Sequence, residues 1–273
     1  MIPHKNKKDI LVNILTRTSR RPVGFYNCRQ SIVKQTYKNI KQYVSYEDEA
    51  DAIYLNEEGI NKVKVNKYKG EVLINPDGYL HAPYNLYCNT LLTHIEQGWI
   101  LFLDDDTHLF HNKVIEEMVS EIKKIDEDTL FIWQMRYPNG KVLPTQKHFT
   151  SEKIEIECID TTCFLFHSKY KGFAQWDQWK ASDYRVISKL CEIIPKKKWI
   201  KKVYIQINNY GDFGQRNDIV NNATNKLIFH KTWFWFLIPK YHTKIREHYI
   251  FKIDSYRNLI KRYIRKIKKR LSL

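Results

Sequence analysis

The sequence predicts an α/β fold: a central sheet of buried strands flanked by helices. Three observations lead there. The run WILFL at 99–103 is led in by Gly98 and followed at once by Asp104, Asp105 and Asp106, a pattern that reads as a strand buried on both faces with carboxylates at its carboxyl end. The opening 10–46 alternates an apolar β-branched run, a helix-spaced segment and a second apolar run, a β-α-β unit whose right-handed crossover makes the two strands parallel neighbours. Val114, Ile115, Met118, Val119, Ile122 and Ile125 recur at helical spacing and form a core face.

In order, ILVNILT at 10–16 is a first strand, followed by the polar loop TRTSRRP at 16–22. Phe25, Cys28, Ile32 and Val33 mark a helix over 25–35, and residues 40–45 a second strand that runs into Glu47, Asp48 and Glu49. Residues 51–70 are polar and lysine-rich without a clear period, with a short strand expected near 62–65. Leu91, Leu92 and Ile95 mark a helix over 84–97, ended by Gly98. Asn112 is placed to cap the next helix, and residues 130–135 read as a strand. Two extended runs are expected within 154–166, on either side of Asp160. Tyr184, Ile187, Leu190 and Cys191 share a face, which puts Asp183 at a helix N-terminus, where a carboxylate is favoured. Residues 199–207 read as a strand, 208–217 as a loop, and 227–235 as an apolar segment around His230.

A net charge of +16 invites a nucleic-acid reading, but it is unevenly placed: 12 of the 46 Lys and Arg residues and only 2 of the 30 acids fall in 239–273. The expected division is therefore a globular domain over 1–238 and a basic helical tail over 239–273. In the tail, Ile253, Ile260, Ile264, Ile267 and Leu271 form one apolar face beside an aromatic cluster at 233–236, a pattern suited to an anionic membrane surface. The same stripe would also serve a helix packed on the domain. None of the usual nucleic-acid-binding motifs is present, so no nucleic-acid partner is expected. Five scattered cysteines with no C-x-x-C pair read as free thiols in a reducing compartment. The polar first residues and the lack of a long apolar run predict a cytoplasmic protein, peripheral at most on the inner face of a membrane.

Three carboxylates crowded at a buried strand's end repel one another unless a cation lies among them, and hard oxygen ligands suit Mg²⁺ or Mn²⁺. With the strand ends at Thr16-Arg17-Thr18 and Glu47-Asp48 they converge in one cleft. A nucleotide diphosphate bound there would meet both a cation and Arg17.

The block ILVNILTRTSRRPVGFYNCRQSIVKQTYKNIKQYVSYED, followed by APYNLYCNTLLTHIEQGWILFLDDD, resembles family 2 glycosyltransferases, in the family's order and spacing over about the first 110 residues. TTCFLFH and WDQWKASDYRVISKL resemble the family's acceptor-side region. The resemblance implies a GT-A fold, a Rossmann-like nucleotide-binding mixed sheet flanked by helices. It implies a metal-dependent inverting hexosyltransferase that moves a sugar from a nucleotide-sugar donor, most readily a UDP-sugar, to a hydroxyl of a glycan, lipid-linked or protein acceptor. By the same resemblance Asp104 and Asp106 are ligands of Mn²⁺ or Mg²⁺, with His230 as a third ligand or a core histidine. Thr16, Arg17, Asp48, Asn85, Asp104 and Asp105 line the nucleotide-sugar pocket, and Asp183 is the general base, with Asp177 as its rival. Glu47-Asp48-Glu49-Ala50-Asp51 departs from the family's Asp-Gly-Ser-x-Asp pattern, which leaves open which carboxylate meets the base of the nucleotide. Trp176 and Trp179 are either a sugar platform or core, and His108 and His111 read as loop residues. The other readings of the same features are a metal-dependent nucleic-acid enzyme and a non-catalytic binding module of this fold.

Overall fold

In a computed structural model of the chain, the described residues are 9–68, 74–79, 81–137, 140–156 and 158–207. The 238/239 boundary, the basic tail, the aromatic cluster and His230 lie outside them.

The N-terminal half follows the expected order. Strand β1 (Val12–Arg17), helix α1 (Pro22–Val33) and strand β2 (Ile40–Tyr46) form the β-α-β unit, with Val12 facing Ile40 across a parallel ladder. Pro22 stands in the first turn of α1, where its missing N–H costs nothing. Helix α2 (Glu49–Tyr54), short and not expected from the aperiodic sequence, leads into β3 (Ile60–Lys64), parallel to β2. A 3₁₀ turn over Pro83–Leu86 and helix α3 (Tyr87–Thr93) replace the longer expected helix; Pro83 sets the turn, and the chain leaves the helix before Gly98.

Strand β4 (Trp99–Phe102) is fully buried and sits between β1, which it parallels, and β8 (Phe164–His167), which runs against it. Strand β5 (Thr107–Leu109), helix α4 (Val114–Ile122), strand β6 (Thr129–Arg136), the two-residue strand β7 (Val142–Leu143) and helix α5 (Gln146–Ser151) lie between β4 and β8. Helix α6 (Ser182–Ile193) and the long strand β9 (Lys196–Ile207) follow. The sheet runs β3-β2-β1-β4-β8-β6-β9-β5, with β7 paired to β6, so its first four strands are parallel and the rest mixed.

Two local expectations are corrected. Asn112 does not cap α4: the N-cap residue is Lys113, without a side-chain cap, and Gln35, just past the end of α1, supplies its Oε1 to the Ile115 N–H at 3.0 Å. Of the two extended runs expected around Asp160, only the second forms a strand; the chain before it is a loop.

Gly98 shows why the entry to β4 is fixed. Its φ is +95°, and a Cβ there would meet the Leu11 carbonyl oxygen at 2.7 Å. The neighbouring backbone is stitched on both sides, Trp99 N–H donating to Leu11 and Ser168 N–H to the Gly98 carbonyl. We expect Gly98→Ala to destabilise the fold by roughly 1–3 kcal/mol, from strained backbone and the steric clash together. Urea denaturation would read this, and an unchanged midpoint would contradict the geometry.

Candidate active site

The ends of β1, β2 and β4 and the loops before β8 and α6 surround one cavity of about 820 Å³, within the range of small-molecule pockets. Five basic residues (Arg17, Arg20, Arg21, Lys67, Lys180) and six acidic ones (Glu47, Asp104, Asp105, Asp106, Asp160, Asp183) line it.

The acidic triplet is held by two arginines, Arg17 at the end of β1 and Arg21 in the loop after it. Arg17 donates from Nε and Nη2 to both carboxylate oxygens of Asp104 at 2.8–3.0 Å, and from Nη1 to Asn85 Oδ1 at 2.9 Å. Arg21, at the N-cap of α1, donates to Asp105 Oδ1 at 2.8 Å and lies 3.6 Å from Asp106 Oδ2. Each pairing raises the arginine's affinity for its proton: Asp105 is the main cause at Arg21, while at Arg17 burial is the largest single effect and opposes the rise, and the attraction and hydrogen bonds of Asp104, with smaller contributions from Cys88 and Tyr84, together exceed it. Thr107 fixes the turn beyond the triplet by donating from both N–H and Oγ1 to the Asp104 carbonyl.

Burial, opposed by Arg21 and reinforced by the neighbouring carboxylates, pushes Asp106 up to about 6 and raises Asp105 as well. Asp105 Oδ2 is buried without a hydrogen-bond partner. Among the described residues, no group of three His, Cys, Asp or Glu side chains is arranged to hold a metal ion.

The opposite wall is acidic without counterions. Asp183 stands in the first turn of α6, just after Ala181, whose φ of 61° is left-handed. Its carboxyl is raised by burial, against the pull of the Tyr184 N–H and Arg17. Asp160 in the loop before β8 accepts from the Thr162 N–H at 3.3 Å. Burial, and then the charges of Asp183, Asp104 and Asp106, push it up to about 8. Among the described residues neither Asp160 nor Asp183 forms a salt bridge. Arg20, with φ 55°, is a second left-handed residue on the wall; such conformations cost energy and concentrate at functional sites.

The expected site residues separate on this geometry. Arg17, Asn85, Asp104, Asp105, Asp106 and Asp183 line the cavity. Thr16 is fully buried beneath it and accepts from Gln42 Nε2 at 3.1 Å. Asp48 is not itself on the wall but pairs with two residues that are, Arg20 at 3.2 Å and Lys67 at 3.7 Å, and its neighbour Glu47 lines the cavity. Asp177 is bound by Arg185 through both oxygens and is not on the wall. Trp176 lines the cavity but packs edge-on to Phe102 at 5.1 Å as part of the core, and Trp179 stacks near His81 at 5.2 Å. His108 and His111 lie off the wall. Arg20, Arg21, Lys67, Asp160 and Lys180 are the charged cavity residues that reading the sequence missed, and Glu47 is one of the two carboxylates it left open. For Arg21 a signal existed, an arginine before the helix-opening proline of the same loop; a lone loop Asp160 has none. The five cysteines are free, four buried and Cys191 half-buried, as expected.

No protein-family model matches the sequence, and a search of curated proteins finds no match. Solved structures do match, and they share the mixed α/β, GT-A-like glycosyltransferase fold. One is S. aureus TarS 1–349, with 14% identity, a TM-score of 0.57, and coverage of 84% of this chain and 69% of that one. The same protein in complex with UDP-GlcNAc matches at 13% identity and a TM-score of 0.55 over 72% of this chain and 58% of that one. The mannosyltransferase PcManGT from Pyrobaculum calidifontis, in complex with GDP-Man and Mn²⁺, matches at 11% identity and a TM-score of 0.53, over 73% of this chain and 57% of that one. The chain spans 42% of a longer TarS structure. At these identities the likeness is one of fold. No helix among the described residues is long and apolar enough to cross a membrane.

The raised Asp160 makes a prediction about stability. The native state keeps a proton that the unfolded chain releases near pH 4. Stability therefore falls as pH rises from about 4 to about 8, the window between the two values. We expect Asp160→Asn to flatten that fall in thermal melts between pH 4.5 and 8.5, on the order of the usual single-group effect. An unchanged slope would place Asp160 outside the buried acidic wall.

Proposed function

We propose that the chain is a nucleotide-sugar glycosyltransferase that works with a divalent cation and inverts the anomeric centre. The observation that supports this best is the division of one cavity into two chemically different walls. The β4 end carries arginine-bound carboxylates, suited to a diphosphate and its cation. The α6 start carries Asp183, a buried carboxylate without a counterion.

Arg17 and Arg21 would bind and orient the donor's diphosphate through charge-assisted hydrogen bonds. Glu47, raised by burial and facing the β2 end, would accept a hydrogen bond from an N–H of the nucleotide base, the role first expected of Asp48. The donors of the solved neighbours, UDP-GlcNAc and GDP-Man, both offer such an N–H.

The residues present fit Mn²⁺ or Mg²⁺. Asp105 Oδ2 is an orphaned buried oxygen, and Asp106 makes only a long contact with Arg21. Such ions need only one or two protein carboxylates when substrate phosphates complete the shell, so a three-residue cage is not required. Asp104 and Asp106 would hold the ion, which when bound neutralises charge gathering on the leaving diphosphate.

Asp183 would take the proton of the acceptor hydroxyl. Its raised proton affinity suits it to that task better than a solvated aspartate. The acceptor oxygen forms its bond to the anomeric carbon as the bond to the diphosphate oxygen breaks, the electron pair leaves with the nucleoside diphosphate, and the proton passes to Asp183. A single displacement by an external hydroxyl inverts the centre. The acceptor class is a hydroxyl-bearing glycan, lipid-linked sugar or protein.

Asp183→Asn should leave donor binding intact while lowering kcat by about 10²–10⁴-fold, the usual contribution of a general base. Asp106→Ala should abolish turnover of a nucleotide sugar in Mn²⁺ without a change in the far-ultraviolet circular dichroism. Turnover retained in Asp106→Ala, or donor binding lost in Asp183→Asn, would contradict the assignment.

A further inference from the structure

Asp51 is fully buried on α2, outside the cavity wall, and forms no salt bridge among the described residues. Its Oδ1 accepts from the backbone N–H of Arg20 at 2.9 Å and from the Tyr54 hydroxyl at 3.0 Å, while its Oδ2 is buried with no partner. The Tyr54 hydroxyl lies 3.1 Å from that of Thr18, the residue that follows Arg17. Two routes thus lead from Asp51 to the residues that flank the acidic triplet. One runs through Tyr54 to Thr18, next to Arg17. The other runs along the backbone from Arg20, held at φ 55°, to Arg21 and its pairs with Asp105 and Asp106.

We propose that Asp51 and Tyr54 are positioning residues for the donor half of the cavity, bracing the segment that carries Arg17, Thr18 and Arg21. The role for donor binding rests on the glycosyltransferase reading above; the brace itself does not. A left-handed arginine is strained, and the conformation persists only where its surroundings over-determine it. Asp51 supplies that constraint by holding the Arg20 N–H. The requirement is for an acceptor oxygen rather than a charge. Burial raises the Asp51 carboxyl, which agrees with a role through hydrogen bonds.

Hydrogen exchange of the substrate-free protein tests the brace directly. In Tyr54→Phe, which keeps the ring against Phe25, and in Asp51→Ala, amides of residues 17–21 should exchange about fivefold faster, the loss of one hydrogen bond. Asp51→Asn, which keeps the acceptor oxygen, should stay near the wild type. Unchanged protection in both Tyr54→Phe and Asp51→Ala would overturn the proposal, as would equal loss in Asp51→Asn, which would make charge the requirement. The second measurement is steady-state kinetics on the nucleotide sugar that the wild type turns over. Tyr54→Phe should raise donor KM while leaving kcat in place; a fall in kcat at constant KM would assign Tyr54 a different role. Failure of the wild type to turn over any nucleotide sugar would sink the glycosyltransferase reading and leave the exchange result standing.

Discussion

The rest of the structure depends on charge compensation at the end of β4. Two unit charges about 4 Å apart interact by about 4 kcal/mol at the effective dielectric near a protein surface, so three adjacent carboxylates cannot share a buried strand end unaided. Arg17 at the end of β1 and Arg21 in the loop that follows supply two positive charges. The loop in turn is shaped to deliver Arg21: Pro22 opens α1 directly after Arg21, and Arg20 adopts a left-handed conformation. The compensation falls one charge short of the triplet's formal −3, which is the electrostatic reason for the proposed cation.

The same arginine ties the cavity's two walls together. Arg17 donates to Asn85, and Asn85 Nδ2 donates to the Trp179 carbonyl at 2.8 Å. That carbonyl also receives Arg185, which holds Asp177. Asn89 adds a reciprocal pair with the Trp176 backbone, donating to its carbonyl and accepting from its N–H at 2.8 Å. Asp177 is thereby a fastening of the loop before α6, and Asp183 is left free to face the cavity. The loop before α6 is thus tied by its backbone to asparagine side chains from α3 and the turn before it.

Legibility in the sequence followed the range of the interactions involved. The β1–α1–β2 unit and β4 were legible because local periodicity and a buried apolar run determine them. The triplet was legible because three consecutive acids need a reason wherever they sit. Asp183 was legible from the helical spacing that follows it. The choice between Glu47 and Asp48 was not legible, because both follow the end of β2 in a stretch without a periodic pattern, and only the fold puts Glu47 on the cavity wall and Asp48 against Arg20 and Lys67. Asp160 was not legible at all. Its character comes from burial among distant carboxylates, which no local pattern encodes. The cap of α4 came from Gln35, about 80 residues earlier in the chain, and α2 formed in a stretch with no period to announce it.

The central claim is that the arginine-bound triplet is a diphosphate site completed by a divalent cation. Isothermal titration of UDP, and separately GDP, into the protein with and without Mn²⁺ tests it most directly. The account predicts saturable binding of at least one of the two at a single site, strengthened at least about tenfold by Mn²⁺, a change of about 1.4 kcal/mol. Binding indifferent to Mn²⁺, or no binding of either nucleotide in its presence, would contradict it.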